Sequence, residues 1–294
     1  MSIHLDYDYL DRVQRAASLY TKRKTSDLLE GDYQSSRHGR SLDFDDLREY
    51  HFGDDVKDID WKSSSRVGKT LVRRYYADRK HDVIFVGDTG RKMTGDTPSG
   101  ESKEQIALMA FAVTAYLMGR QGVNCALSVC GSSGSRISRF LSGPEHLMAQ
   151  INAYKNAIEE GEPSQRFYDT LLNTASTFAR HMIMVVITDS EGLSQIDERL
   201  VRRLTYYNDV YILKIKDAYL TMDNAYDLDS GRFADSFLSL FRDLHAQERR
   251  IPQEIEQKAE KILTPNRVFC RSISKEAEII DALVYLFERR KGLL

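Results

Sequence analysis

The chain has 294 residues, which allows two ordinary domains or one large domain with an elaboration. Hydrophobic residues make up 41% of it, which excludes a disordered chain. With 42 Lys+Arg against 44 Asp+Glu the net charge is -2, and that balance argues against a dedicated nucleic-acid binder. Three cysteines cannot form a disulfide framework. Cys125 and Cys130, five apart in an apolar run, point to opposite faces of a strand and read as core residues. The opening MSIHLDYDYLDRVQRA carries acids where a secretory signal needs an apolar stretch. The longest mostly apolar run, Ile106–Met118, has 13 residues, short of the ~20 that span a bilayer. The expectation is a soluble, cytoplasmic protein without membrane insertion.

In chain order, residues 4–30 read as a helix. Leu5, Tyr9, Leu10, Val13, Ala17 and Tyr20 fall near helical spacing, and Gly31 is the stop. Residues 31–80 are polar, charged and glycine-punctuated. They predict a small irregular or β-containing module, with Thr70–Tyr76 its clearest strand and Trp61 its core anchor. From His81 the pattern alternates. Apolar runs at Asp82–Gly87, Asn124–Cys130, His181–Thr188, Asp209–Ile215 and Val268–Ile273 read as buried strands. Helical stretches lie between them at 102–120, 144–159, 170–180 and 195–207. A charged helix follows at 236–263, broken near Pro252, and an amphipathic one at 275–291. The fold class is therefore α/β, a mostly parallel sheet with helices on both faces. The expected division is residues 1–80, a helix and small module, and 81–294, the sheet domain.

In open α/β sheets ligands bind beyond the carboxyl ends of strands. Two strands there run into aspartate, at Asp88 and Asp189, and Thr170 lies before a helix where its hydroxyl reaches the same rim. Two carboxylates and a hydroxyl are oxygen ligands suited to a hard divalent cation. The plainer readings are Asp88 and Asp189 bonding loop amides, and Thr170 following an Asp169 cap.

A strand-end Asp-x-Ser-x-Ser with a later Thr and Asp makes the metal-ion-dependent adhesion site of von Willebrand factor A domains, which this pattern resembles. The upstream segment is more specific. Gly31, Ser35-Ser36, Gly39, Asp43-Phe44, Leu47-Arg48, Tyr50 and the run GDDVKDIDW through Trp61 resemble the signature of the domain of unknown function 58 family. Ser65-Arg66, Leu71-Val72-Arg73, Lys216-Asp217 and Asp227–Gly231 agree with it. That resemblance implies an N-terminal module joined to a von Willebrand A-like, Rossmann-like domain. It also implies association with MoxR-type AAA+ ATPases. Many relatives carry N-terminal membrane helices, and the stretch present here has none.

The metal motif departs from the family pattern. It reads Asp88-Thr89-Gly90-Arg91-Lys92, so Gly90 supplies no hydroxyl and Lys92 brings an ammonium. A unit charge ~4 Å from a divalent cation costs about 8 kcal/mol at an effective dielectric of 20. The expectation is a degenerate, metal-free site, with magnesium disfavoured and Lys92 paired to Asp88 or Asp189 as a built-in cation. No other cofactor is implied: there is no GxGxxG loop, and Gly68-Lys69 lacks Walker spacing.

Asp54, Asp55, Asp58 and Asp60 resemble a hydrolase carboxylate cluster, which needs several acids around its ions. Arg48, Lys57, Arg66, Arg73 and Arg74 lie in the same module, so ion pairing is the simpler use of these charges. Arg48 and Arg66 are expected to organise the module, which docks beside the rim. Lys22-Arg23-Lys24 reads as a solvated helix face, and His81 and His181 as structural residues. Arg37 and Arg40, in a glycine-serine loop, are candidates for an anion contact. Taken together, the expected function is a non-enzymatic interaction or adaptor module with a MoxR-type AAA+ partner. The alternative is a metal-dependent hydrolase using Asp54–Asp60, and nucleic-acid binding is the weakest reading.

Overall fold

The computed structural model describes residues 7–22, 43–51, 54–76, 82–131, 134–161, 166–219, 226–227, 232–233 and 242–291. Two compact units are present. One comprises Met1–Ser26 with His81–Leu294, and the other is Asp27–Lys80. The smaller unit ends at residue 80, and the first helix, α1 (Tyr7–Lys22), falls outside it. That helix belongs with the larger unit because its stripe of Tyr9, Val13 and Ala17 is buried there.

In the small unit, β1 (Asp43–Glu49) and β2 (Leu71–Tyr76) pair antiparallel, with an irregularity between Phe44 and Leu47. The sequence reading missed β1, whose acidic DFDDLRE has none of the apolar alternation of a half-buried strand. Helix α2 (Trp61–Val67) starts at Asp60, whose carboxylate accepts from the N–H groups of Lys62 and Ser63. It ends at Gly68, where a φ of 76° needs glycine. Trp61 opens this helix 67% exposed, so it is not the buried anchor expected. Helical periodicity puts the first residue of so short a helix on whichever face the cap dictates.

The larger unit is built on six strands in the order β10-β7-β6-β3-β4-β5. These are β3 (Val83–Gly87), β4 (Cys125–Gly131), β5 (Gly134–Ile137), β6 (Met182–Thr188), β7 (Asn208–Ile215) and β10 (Phe269–Ile273). Only β5 runs antiparallel, as a hairpin on β4. Its short GSRI stretch gives no strand signal, and the sequence reading passed over it. Two-residue strands β8 (Tyr226–Asp227) and β9 (Arg232–Phe233) form a separate pair. The central strands are buried along their whole length, which is why they read as apolar runs, interrupted only by Ser128 of β4. Cys125 and Cys130 are buried in β4 as expected, and burial pushes the Cys125 thiol up to about 12.

Helices cover both faces. On one side lies α3 (Lys103–Arg120), buried around nearly its whole circumference because the sheet takes one flank while α1 and α4 (Pro144–Glu160) take the others. Phe111 of this helix meets Phe85 edge-on at 4.8 Å and Tyr154 at 6.1 Å. On the other side α5 (Arg166–Thr177), α7 (Glu198–Thr205) and α8 (Arg242–Leu263) pack Phe167, Leu171, Leu200, Leu204 and Leu263 onto Ile84, Val86, Met184 and Val186. A five-residue helix, α6 (Ser190–Ser194), follows β6, and α9 (Ile279–Lys291) closes the chain against β10. Helix α8 runs through Pro252 without the break expected there. Among the described residues no helix is long and apolar enough to cross a membrane.

Candidate functional site

The carboxyl ends of β3, β6 and β7 meet at one rim, and the residues following each strand carry its charge. Asp88 follows β3 directly, Asp189 follows β6, and Asp217 lies two residues beyond β7. Asp88 is 2% exposed. Its Oδ2 accepts the Thr188 hydroxyl at 2.6 Å and its Oδ1 accepts the Gly90 N–H at 2.9 Å. Asp189 Oδ1 caps α6, accepting from Glu191 and Gly192 N–H at 2.9 and 3.0 Å. Gly192 is needed for this approach, since a Cβ there would collide with both the Thr188 hydroxyl and Asp88 Oδ2.

The cation at this rim is Lys103. Its ammonium lies 2.7 Å from Asp189 Oδ2 and 2.5 Å from Asp217 Oδ1, with the side chain 2% exposed. Burial alone would lower the Lys103 pKa, but the two carboxylates outweigh it and hold the ammonium above its ordinary value. Burial likewise works to raise the Asp217 carboxyl, and Lys103 brings it below the usual range. Asp88 has no such cation in contact. Burial first, then the neighbouring Asp189 charge, push its carboxyl up to about 7.

Two expectations are corrected here. Lys92 pairs with Glu191 at 3.2 Å, 55% exposed, and not with Asp88 or Asp189. Its place in the one-turn helix Arg91–Thr94 directs it along the surface, while Lys103 enters from the start of α3. Thr170 sits within α5, which begins at Arg166 and not at residue 170, so Asp169 is not its cap. The Thr170 hydroxyl donates to the Arg166 carbonyl at 2.9 Å, and the hydroxyl that reaches Asp88 is that of Thr188. Lys103 did leave a signal in the sequence. A lysine in the first turn opposes the helix dipole, and here it precedes the apolar run Ile106–Met118 of the same helix.

As a divalent-cation site these residues fit poorly. Both Asp88 oxygens and both Asp189 oxygens already accept internal donors, one of them an ammonium. Among the described residues no group of three or more His, Cys, Asp or Glu is placed to hold a metal.

The family described as "Protein of unknown function DUF58" matches residues 46–228. The chain belongs to this family. Uncharacterized proteins of Mycobacterium tuberculosis (strain ATCC 25618 / H37Rv) and Mycobacterium bovis are each 27% identical over 133 residues, 45% of this chain. The match spans 42% of the length of these curated relatives. Among solved structures, a von Willebrand factor type A from Catenulispora acidiphila is 12% identical, covering 76% of this chain and 45% of that one at a TM-score of 0.34. An aerotolerance-related membrane protein from Bacteroides fragilis is 13% identical, covering 71% and 99% at 0.41. A PilB minor pilin from Streptococcus sanguinis is 9% identical, covering 77% and 65% at 0.43.

The acids of the DUF58 signature, Asp54, Asp55, Asp58 and Asp60, belong to the small unit. Asp54 pairs with Arg48 at 2.5 Å and accepts the His51 N–H, and these bonds hold its carboxyl below the usual range. Asp60 pairs with Arg73 at 3.0 Å while capping α2, and Asp55 accepts the Lys57 N–H. The Asp58 side chain has no partner among the described residues. Arg66 is exposed in the last turn of α2 with no partner among the described residues, so the organising role expected of it falls to Arg73. Asp54, Asp55 and Asp60 are thus engaged in pairs and caps. Arg37, Arg40, His81 and the Arg23-Lys24 stretch lie outside the described residues.

Replacing Lys103 by methionine strands Asp189 without its cation and is expected to cost about 3–5 kcal/mol in urea unfolding at pH 8. Lys92→Met removes an exposed pair and is expected to cost under about 1 kcal/mol. Equal losses would dismiss Lys103 as the rim's cation. Because the folded state holds a proton on Asp88 that the unfolded state releases above about pH 4, its contribution is full below that pH and lost toward pH 7. Asp88→Asn is therefore expected to gain on the parent protein by about 1.4 kcal/mol per pH unit between pH 4 and 7, then level off. Parallel stability curves for the two proteins would rule this out.

Proposed function

We propose that the chain is a non-enzymatic protein-interaction module, that its partner is a MoxR-type AAA+ ATPase, and that its rim works without a divalent cation. The observation that carries the reading is the closure of the rim's buried charges upon one another. Lys103 is consumed by Asp189 and Asp217, and Asp88 by Thr188 and Gly90. No nucleophile–base pair remains among these groups to act on a substrate. What the rim offers to solvent is a shaped surface bearing the Lys92–Glu191 pair. The AAA+ partner is what the family resemblance implies, and the adaptor role follows from that pairing.

Affinity capture of the tagged chain from its native cell, with and without ATP, tests the partner. One AAA+ ATPase is expected to be enriched, and Lys92→Glu, which inverts a rim charge without touching the buried ones, is expected to reduce its recovery at least tenfold. Recovery of the folded bait alone would overturn the reading. Separately, the melting temperature is expected to stay constant across millimolar magnesium and manganese. Saturable stabilisation that disappears in Asp88→Asn would sink the cation-free rim.

A further inference from the structure

A second surface of the larger unit differs from the rim because its groups are left open. Strand β10 is the edge of the six-stranded sheet, bonded on one side to β7. Its odd-numbered residues face that neighbour, as the Ile273 carbonyl shows by accepting the Lys216 N–H at 2.9 Å. By the two-residue period of a strand, the even-numbered residues turn their main-chain groups outward. At the two ends the outward groups are taken by the chain itself. Val268 N–H donates to the Leu263 carbonyl at 3.0 Å, and Ser274 N–H to Glu278 Oε2 at 2.7 Å. Between them the main-chain N–H and C=O of Cys270 and Ser272 have no partner among the described residues.

This open stretch is the floor of a concavity of about 370 Å³, with α8 forming one wall and α9 the other. The α9 wall is basic. The Arg271 guanidinium lies 4.7 Å from the centre of the Tyr285 ring, and that of Arg289 lies 5.6 Å from the same ring and 5.7 Å from Phe269. Arg289 also donates to the Tyr285 hydroxyl. One tyrosine thus holds two guanidiniums by cation–π contact, and neither has a carboxylate partner among the described residues. Lys216, at the same concavity, has none either. Of the two acids on the α8 wall, Glu256 is engaged by Lys214 at 2.8 Å and by the Ser272 hydroxyl at 2.7 Å, which leaves Glu260. Two like charges gathered on one ring beside an unpaired edge call for an anion that arrives with main-chain donors and acceptors of its own.

We propose that the free edge of β10 receives an extended acidic segment of a partner protein. The segment adds as a seventh strand, bonding the main chain of Cys270 and Ser272, and alternate carboxylates on its α9 side meet Arg271 and Arg289. Phosphate alone would satisfy the guanidiniums but leave the edge unpaired, and a lipid surface cannot enter a slot between two helices to reach it. The proposal stands on main-chain groups and guanidiniums that take no part in the rim's charge pairs, and it does not depend on the AAA+ reading.

The probe is a fluorescein-labelled nonapeptide alternating glutamate with valine, titrated with the full chain by anisotropy. Saturable binding is expected. It should weaken at least tenfold in Arg271→Glu, and to a similar degree in Ser272→Pro. Proline at that outward-facing position removes one edge donor while leaving the bonds to β7 in place. Circular dichroism confirms that both variants are folded. A peptide of the same charge, N-methylated at alternate residues, is expected not to bind. Equal binding of the methylated peptide would overturn strand addition, as would displacement of the probe by inorganic phosphate alone. So would absence of binding at millimolar concentration. Sedimentation showing a dimer that Ser272→Pro dissolves would give the edge to a second copy of this chain and also overturn the proposal.

Discussion

One buried ammonium fixes the arrangement of the strand ends. Lys103 reaches from the first turn of α3 to the segments following β6 and β7, and both carboxylates it meets are themselves tied to neighbouring backbone. A lysine at that position works against its own helix dipole, and removing it from water carries a penalty that two close anions offset. The remaining rim geometry follows from this choice. With Asp189 held toward Lys103, its other oxygen is free to cap α6. Gly192 then lets that helix lie against Asp88, which sits in apolar surroundings with a hydroxyl for company and retains a proton toward neutral pH.

The same sheet therefore presents two surfaces of opposite character. At the rim, charge is buried and satisfied inside the chain. Changes there act through stability and shape, because removing Lys103 strands Asp189 and Asp217 while removing the Asp88 carboxyl relieves a buried charge. Along β10, the main-chain groups of Cys270 and Ser272 and the guanidiniums of Arg271 and Arg289 face outward, while Phe269 and Ile273 remain in the core. An exposed edge is normally blunted against unwanted pairing, and like-charged arginines beside it do part of that work by repelling other basic edges. They leave acidic strands as the favoured entrants.

Much of the fold was legible because burial on both faces writes itself into the sequence. The five parallel strands are short runs dominated by apolar residues, and the sequence reading placed each within one or two residues of its bounds. Elements that bury little were not legible. β1 is acidic, and β5 is a four-residue stretch with a single large apolar side chain, Ile137. Of the site, Asp88 and Asp189 could be named because a strand-end position is a local property. Lys103 could not, because its role depends on the meeting of α3 with the ends of two later strands. Lys92 occupies the motif position of a metal-site serine, yet three residues separate it from Asp88 along a turn that points it away, toward Glu191. Trp61 shows the same limit in the small unit, where rarity suggested an anchor and the helix cap dictated exposure.

The placement of α1 has a temporal consequence. This helix buries Tyr9, Val13 and Ala17 in the larger unit, packs on α3 and α9, and ties Arg12 to Glu276 near the far end of the chain. A whole separate unit, Asp27–Lys80, is synthesised before α3 exists. At roughly 5–20 residues per second, the ribosome leaves the apolar stripe of α1 waiting for seconds before a first partner emerges, and longer before α9 completes its pocket. Each doubling of the intervening chain adds only about 0.6 kcal/mol to the entropy of closure, so the delay is a matter of order and not of stability. A helix that precedes the small unit in the chain thus finds its seat only after that unit has been made, and its apolar stripe is open to a nascent-chain chaperone in the meantime.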